Sequence, residues 1–262
     1  MEYPKKSLGQ NFLTDLNIIK KITDLTNIYN KNVLEIGPGE GALTDQILIN
    51  NPKSIILVEK DTLLSEKLKI KYKKNKIIKI FNEDILKFKL ENELKNDTII
   101  FGNLPYNISS QILVKTIKFK KWPPKYSNLI FMFQKEVADK IIGKYGTSKY
   151  GRLSILTHYR LKIINKFNIS PNCFNPKPKV ESSILQLIPI SNAFNKIKKI
   201  ENLEKITNIL FSNKRKMINK AMKKIFISDK KIKMIKNLNL KSRPSELKPE
   251  KYYEIVNLFE QI

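Results

Sequence analysis

The sequence predicts an α/β protein, a parallel sheet with helices on both faces, followed by a small all-helical domain. Three observations predict it. Short β-favouring runs alternate with helical patterns over most of the chain, the order that builds a parallel sheet. From about Asn195 onward only helical patterns remain. With 262 residues, 41% hydrophobic and 28% charged, the chain can bury one large and one small core, which excludes extended disorder and fibrous repeats.

The elements follow in order. A first helix is expected over residues 14–26, with Thr14 as cap and Leu16, Ile19, Ile22 and Leu25 on one face. Strand runs come at 33–36, 55–58, 77–81, 98–101 and 129–133, with helical patterns at 42–49, 63–72 and 109–119 among them. Further strands at 162–167 and 182–187 extend the sheet, and helices are expected at 201–211, 214–226, 230–238 and 249–259. The division drawn from this pattern is a sheet domain over 1–190 and a helical domain over 191–262, joined around 189–194. In an open sheet of this kind ligands bind beyond the carboxyl ends of the strands, so the residues just after each run carry most of the information.

Composition removes several classes of function. The longest apolar runs, such as the five residues 129–133, are far too short to cross a bilayer. A single cysteine, Cys173, and a single histidine, His158, exclude an intrachain disulfide, a zinc site of His and Cys, and Cys/His protease chemistry. Residues 1–12 have no apolar core after their two lysines, so no secretory signal is expected and the cytoplasm is the default. The formal charge of +26 points to a polyanionic partner. Only four of the 50 basic residues are arginine and the chain is crowded with Ile and Asn, as in an AT-rich genome, so part of the lysine excess is solvated filler. Residues 191–262 alone carry +11, which makes the tail the more basic region per residue.

Two segments carry chemistry. Val33, Leu34, Glu35 and Ile36 run into Gly37, Pro38, Gly39, Glu40 and Gly41, a strand followed by a glycine-rich turn that opens a helix. Glycines let the backbone turn tightly and let a ligand lie against it. Gly37, Gly39 and Ala42 also satisfy the dinucleotide pattern, so a nicotinamide or flavin nucleotide is one reading. The alternation Gly37, Gly39, Gly41 behind Glu35 resembles instead the first motif of methyltransferases that use S-adenosylmethionine. Glu59 ends the second strand and can accept from ribose hydroxyls, and Asp84 follows the third and can accept from an adenine amine.

Asn103, Leu104, Pro105 and Tyr106 follow the fourth strand run. They resemble the signature of enzymes that methylate an amino group conjugated to a planar ring. Such an amine is a poor nucleophile because its lone pair is delocalised. Accepting its two hydrogens, through the Asn103 side-chain oxygen and the Leu104 carbonyl, localises that pair. Pro105 fixes the backbone and Tyr106 offers an aromatic face. Phe174, in a proline-pinned loop before a strand, is the candidate to close the other side of an extruded base, with a buried core phenylalanine as the alternative.

Taken together, five ordered blocks resemble the ribosomal RNA adenine dimethyltransferase family, most closely its bacterial small-subunit type. They are residues 5–13 (KKSLGQNFL), 35–44, 101–109 (FGNLPYNIS), 132–138 (MFQKEVA) and 174–183. The resemblance implies a Rossmann-like catalytic domain with a small helical domain that binds RNA or the ribosome. It further implies S-adenosylmethionine as donor with no metal, and dimethylation of two adjacent adenines in the 3′-terminal hairpin loop of small-subunit ribosomal RNA in an assembling subunit. It makes Asn11 and Leu13 donor contacts and matches Gly37, Glu59, Asp84 and Asn103 to the remaining ones. Lys214, Arg215 and Lys216 match a basic block at the start of a helix in the second domain, lysine-rich here. Lysine acts there as a point charge rather than a bidentate clamp.

Resistance methylases that modify one adenine of large-subunit RNA are the nearest competing reading. Residues 174–180 and the stretch Arg243, Pro244, Ser245, Glu246, Leu247 favour the small-subunit type. A nucleic-acid-binding relative without catalysis has no use for Asn103 and Tyr106, and a nicotinamide oxidoreductase leaves them unexplained. Nothing in the sequence marks an oligomer, so a monomer is expected.

Overall fold

A computed structural model describes residues 11–190 and 197–261. The start of the first block, residues 5–10, and most of the expected join, 191–194, lie outside the described residues. The chain divides into two compact units. The first comprises the chain up to Ala138 together with Leu161–Pro189, and the second comprises Asp139–Arg160 and the chain from Ile190 on.

In the first unit the elements run β1 (Phe12–Leu13), α1 (Leu16–Thr23), β2 (Asn32–Ile36), α2 (Ala42–Ile49), β3 (Ser54–Glu59), α3 (Thr62–Lys71) and β4 (Ile78–Asn82). Then come α4 (Leu90–Glu93), β5 (Thr98–Asn103), α5 (Ser109–Ile117), β6 (Tyr126–Gln134) and α6 (Lys135–Ile142), within which the unit boundary falls. After α7 (Arg152–Arg160) of the second unit, β7 (Leu161–Ile169), β8 (Phe174–Asn175) and β9 (Ser182–Pro189) return to the first.

Seven strands form one sheet in the order β4-β3-β2-β5-β6-β9-β7. The first five are mutually parallel, as the alternation predicts, whereas β9 runs antiparallel to both β6 and β7. Strands buried on both faces read as nearly continuous apolar runs, and here Leu34, Ile36, Ile100, Phe131 and Phe133 are as buried as Val33, Ile55, Ile99, Phe101 and Met132 on the opposite face. The latter pack with Ile19 and Ile22 of α1 and Leu43 and Ile47 of α2. The chain order reverses between β2 and β5, so the crevice at their carboxyl ends is the topological switch point where ligands bind in such sheets.

The first helix starts later than its periodicity suggests. Asp15, not Thr14, is its cap, accepting from the N–H groups of Asn17 and Ile18 at 2.9 and 3.1 Å. Thr14 instead donates to the Cys173 carbonyl, from its N–H at 2.9 Å and its hydroxyl at 3.2 Å. These bonds extend a two-stranded antiparallel pair, β1 with β8, that sets Phe12 opposite Asn175 and Leu13 opposite Phe174.

The second unit is helical: α7, α8 (Ile200–Phe211), α9 (Asn219–Ile225), α10 (Asp229–Lys233) and α11 (Pro249–Phe259). Residues 139–160 therefore do not belong with the sheet, as the division at 190 has it. The reason is packing: α7 buries Ile155, Leu156 and Tyr159, the Tyr159 ring lies 4.9 Å from that of Tyr253, and its hydroxyl accepts from the Ile197 N–H at 2.9 Å. Tyr150 in turn donates to the Leu247 carbonyl at 3.0 Å. The helix expected over 214–226 begins only at Asn219, because residues 212–216 are an exposed turn.

Candidate active site

Strand β2 delivers the glycine-rich turn to the switch point. Gly37, Gly39 and Gly41 adopt φ of +66°, +59° and +86°, left-handed values that explain why glycine stands at each. A Cβ on Gly39 would stand 2.9 Å from the Phe12 ring, and one on Gly37 would meet nothing nearer than the Asn103 carbonyl at 3.8 Å. Gly41 differs from both. It caps α2 and packs against Tyr72, whose hydroxyl donates to Asp45 Oδ1 at 2.7 Å and lies 3.1 Å from the Gly41 carbonyl.

Around Gly37 and Gly39 lies an open cleft. Asn11, Phe12, Glu59, Lys60, Asp84, Ile85 and the turn from Asn103 to Ile108 line it. Of the residues expected to bind a donor, Asn11, Gly37, Gly39, Glu59, Asp84 and Asn103 meet here, and Gly41 does not line it. Glu59 is 7% exposed and accepts from the Gly39 N–H at 3.1 Å and the Asp61 N–H at 2.9 Å. Burial pushes its carboxyl up, and those two donors pull it back. Asp84 accepts from Lys60 Nζ at 2.8 Å and from the Leu86 N–H at 2.9 Å, which hold its carboxyl below the usual range.

The opposite wall is the turn after β5. Asn103 Nδ2 donates to the Asn11 carbonyl at 2.9 Å, which commits the nitrogen end of the amide and leaves Oδ1 as an acceptor. Leu104 lines the cleft although the residue as a whole is 1% exposed. Pro105 accepts from the Ile108 N–H at 3.1 Å, closing the turn that leads into α5. The Tyr106 hydroxyl is 2.6 Å from Ser182 Oγ; burial pushes its pKa up and the serine draws it partly back. Tyr106 is therefore fixed at its hydroxyl while it lines the cleft.

A second cavity is lined by Phe12, Leu13, Glu35, Gly37, Gly39 and Asn103 among others. Leu13 faces this cavity rather than the first. Its one fully buried carboxyl, Glu35, is pushed from 4.5 to about 7 by desolvation, against a 2.6 Å bond donated by the Thr44 hydroxyl.

Other expected residues lie elsewhere. Phe174 is 5% exposed and packs in the core with Leu13, Ile22, Phe101 and Ile184, lining neither cavity. The expectation that it closes over a base opposite Tyr106 is thus not met in this structure, because the β1–β8 pairing turns it inward. Lys214, Arg215 and Lys216 are exposed in the turn after α8 of the second unit, not at the start of a helix. His158 is in α7, and Cys173 Sγ lies 3.6 Å from Asp15 Oδ2. Among the described residues no group of His, Cys, Asp and Glu could hold a metal ion, and no helix is long and apolar enough to cross a membrane.

Phe12, Lys60, Ile85 and Ser182 were not expected from sequence. Phe12 and Lys60 adjoin expected residues and could have been found from that, whereas nothing local marks Ser182, 76 residues from Tyr106.

The family model for ribosomal RNA adenine dimethylase matches residues 1–261. A ribosomal RNA small subunit methyltransferase A of Pelagibacter ubique is 45% identical, the match covering 98% of this chain and 97% of that protein. One from a Wolbachia of Drosophila simulans is 36% identical over 97% of this chain and 93% of its own. Among solved structures, a dimethyladenosine transferase from Plasmodium falciparum superposes with a TM-score of 0.76 at 25% identity, covering 95% of this chain and 98% of the other. The 23S rRNA methyltransferase ErmE shares the fold, with a TM-score of 0.68 at 22% identity over 95% of this chain and all of that one. With a match from end to end and the asparagine turn facing the glycine turn across one cleft, the chain belongs to the ribosomal RNA adenine dimethylase family.

Proposed function

We propose that the protein dimethylates two adjacent adenines in the 3′-terminal hairpin loop of small-subunit ribosomal RNA, using S-adenosylmethionine and acting on an assembling subunit. The observation that carries this reading is the committed amide of Asn103, whose Nδ2 is held by the Asn11 carbonyl at 2.9 Å so that Oδ1 is the end left to accept. The small-subunit target is favoured over the large-subunit one by the relatives named small subunit methyltransferase A.

The cleft suits the donor on its own chemistry. Gly37 leaves room against the backbone, Glu59 is a fixed carboxylate acceptor for ribose hydroxyls, and Asp84 is kept ionised to accept from the adenine amine. S-adenosylmethionine, when bound, supplies a methyl group on a positively charged sulfur, so its release needs no further activation. Asn103 Oδ1 and the Leu104 carbonyl accept the two hydrogens of the target amine and localise its lone pair. Tyr106, anchored through Ser182, stacks on the base. No strong base is needed because the proton leaves after the amine has reacted, and catalysis is mostly alignment. The second unit, through Lys214, Arg215 and Lys216, contributes phosphate contacts to RNA, and the protein acts as a monomer with no metal.

The test is transfer of labelled methyl to unmethylated small subunits, with large subunits and N103A alongside and the product mapped by mass spectrometry. Dimethyladenine at two adjacent loop positions, lost in N103A, is expected. Label on large-subunit RNA would move the assignment to the resistance branch, and RNA binding without label would leave a binding protein.

A further inference from the structure

Lys115 lies on α5, the helix that leaves the turn of Asn103 and Tyr106, and its Nζ donates to the Leu86 carbonyl at 2.7 Å. Leu86 lies in the loop after β4, two residues beyond Asp84. Its own N–H donates to Asp84 Oδ1 at 2.9 Å, so the residue is gripped at both its N–H and its carbonyl. Between Asp84 and Leu86 stands Ile85, 5% exposed and lining the cleft.

Asp84 lies in the field of three cations, Lys60, Lys87 and Lys115. Lys60 pairs with it at 2.8 Å but is 55% exposed, where water and salt screen the attraction. Lys115 is part-buried. Burial lowers the affinity of its amine for a proton, and the charge of Asp84 restores part of it. An ammonium on a carbonyl is a charge-assisted bond, stronger than a neutral one, and this one spans from the helix behind one wall to the turn that forms the other.

We infer that Lys115 is a positioning residue for methyl transfer: by tying the 84–86 turn to α5 it sets the wall against which the adenine of the donor lies. The inference rests on the donor reading above. Lys115 touches neither reactant. Its loss frees the Leu86 carbonyl and lets Asp84 and Ile85 drift, so donor affinity suffers before the chemical step does.

The experiment is calorimetric binding of S-adenosylhomocysteine, together with steady-state methylation of unmethylated small subunits at varied donor concentration, for K115M, K115Q and K115R. K115M is expected to bind about tenfold more weakly, the size of one charge-assisted bond. The donor KM rises with it, while kcat at saturating donor moves by less than about threefold on the same scale. K115R, which keeps donor and charge, restores most of the affinity. Unchanged affinity in K115M, a fall in kcat at constant KM, or equal loss in K115M and K115R would each overturn the inference. If K115M does not fold, K115Q, which removes the charge and shortens the side chain but keeps a polar end, reads the same affinity. Failure of the unsubstituted protein to bind S-adenosylhomocysteine would instead remove the donor reading, and this inference with it.

Discussion

Asn103 Nδ2 reaches the carbonyl of Asn11, 92 residues away, at 2.9 Å. This one bond joins the extended segment before α1 to the turn after β5 and commits the nitrogen end of the Asn103 amide.

Replacing that amide tests its orientation. In N103D the carboxylate has no hydrogen for Asn11 and meets its carbonyl oxygen with like charge, so the turn loses its fixed orientation although an acceptor remains. Both N103D and N103A are expected to lower kcat by about 10²–10³, the usual cost of removing one preorganised hydrogen-bonding group. Circular dichroism is expected to be unchanged. Single-turnover methyl transfer measures it, and an N103D rate within tenfold of the unsubstituted enzyme would show that orientation by Asn11 is dispensable.

Glu35 yields a pH prediction. Its carboxyl is raised from 4.5 to about 7 by burial, so the folded protein holds that proton more tightly than the unfolded chain. The stabilisation is fully present below pH 4.5 and is lost as pH rises through about 7, a change of about 3 kcal/mol. E35Q cannot lose a proton there. Denaturant unfolding from pH 4.5 to 8 is expected to show the unsubstituted protein falling in stability relative to E35Q. Parallel curves would mean that the carboxyl ionises without penalty.

The glycines of the turn are expected to separate binding from stability. A methyl on Gly39 meets the Phe12 ring, which lines the cleft, whereas one on Gly41 meets the Tyr72 hydroxyl away from it. Both positions are left-handed, so each alanine costs about 1–2 kcal/mol of backbone strain. G39A is expected to lose donor binding on top of that cost. G41A is expected to lower the melting temperature with smaller change in affinity for S-adenosylhomocysteine, and equal affinity losses in the two would contradict this division.

For the second unit the prediction is electrostatic. If Lys214, Arg215 and Lys216 meet phosphates, replacing all three with glutamine weakens RNA binding and flattens its salt dependence by about 0.7–0.9 in log–log slope for each phosphate no longer neutralised. Filter binding between low and moderate salt measures the slope. An unchanged slope would assign these three side chains to the solvated lysine excess of a chain carrying +26.

Most of the first unit's architecture was legible in the sequence because it is local. The alternation of runs located the five parallel strands within a few residues, and α2 and α11 fall where their patterns place them. Glu59, Asp84 and Asn103 stood out because an open sheet gathers ligands at strand ends, and these residues occupy successive ends. What local pattern could not show was which helix goes with which core. Residues 139–160 lie between two strands of the sheet in the sequence, yet Tyr159 is closed by Ile197 and Tyr253.

Phe174 and Tyr106 mark the same limit from the other side. Both are aromatic residues in proline-bearing turns, and by sequence pattern each suits a role facing the substrate. Tyr106 lines the cleft with its hydroxyl on Ser182, while Phe174 is drawn into the core by the pairing of β8 with β1. The amino-acid sequence by itself determined the strand order of chemistry-bearing residues, the need for glycine at the turn and the chemistry each side chain can perform. Only the tertiary structure decided that Asn11 orients Asn103, that Lys115 grips Leu86 and that Phe174 is buried. Periodicity and turn preference act over a few residues, whereas these interactions close loops of 92 and 29 residues or depend on a partner strand far along the chain, and burial is fixed by whatever packs on a face.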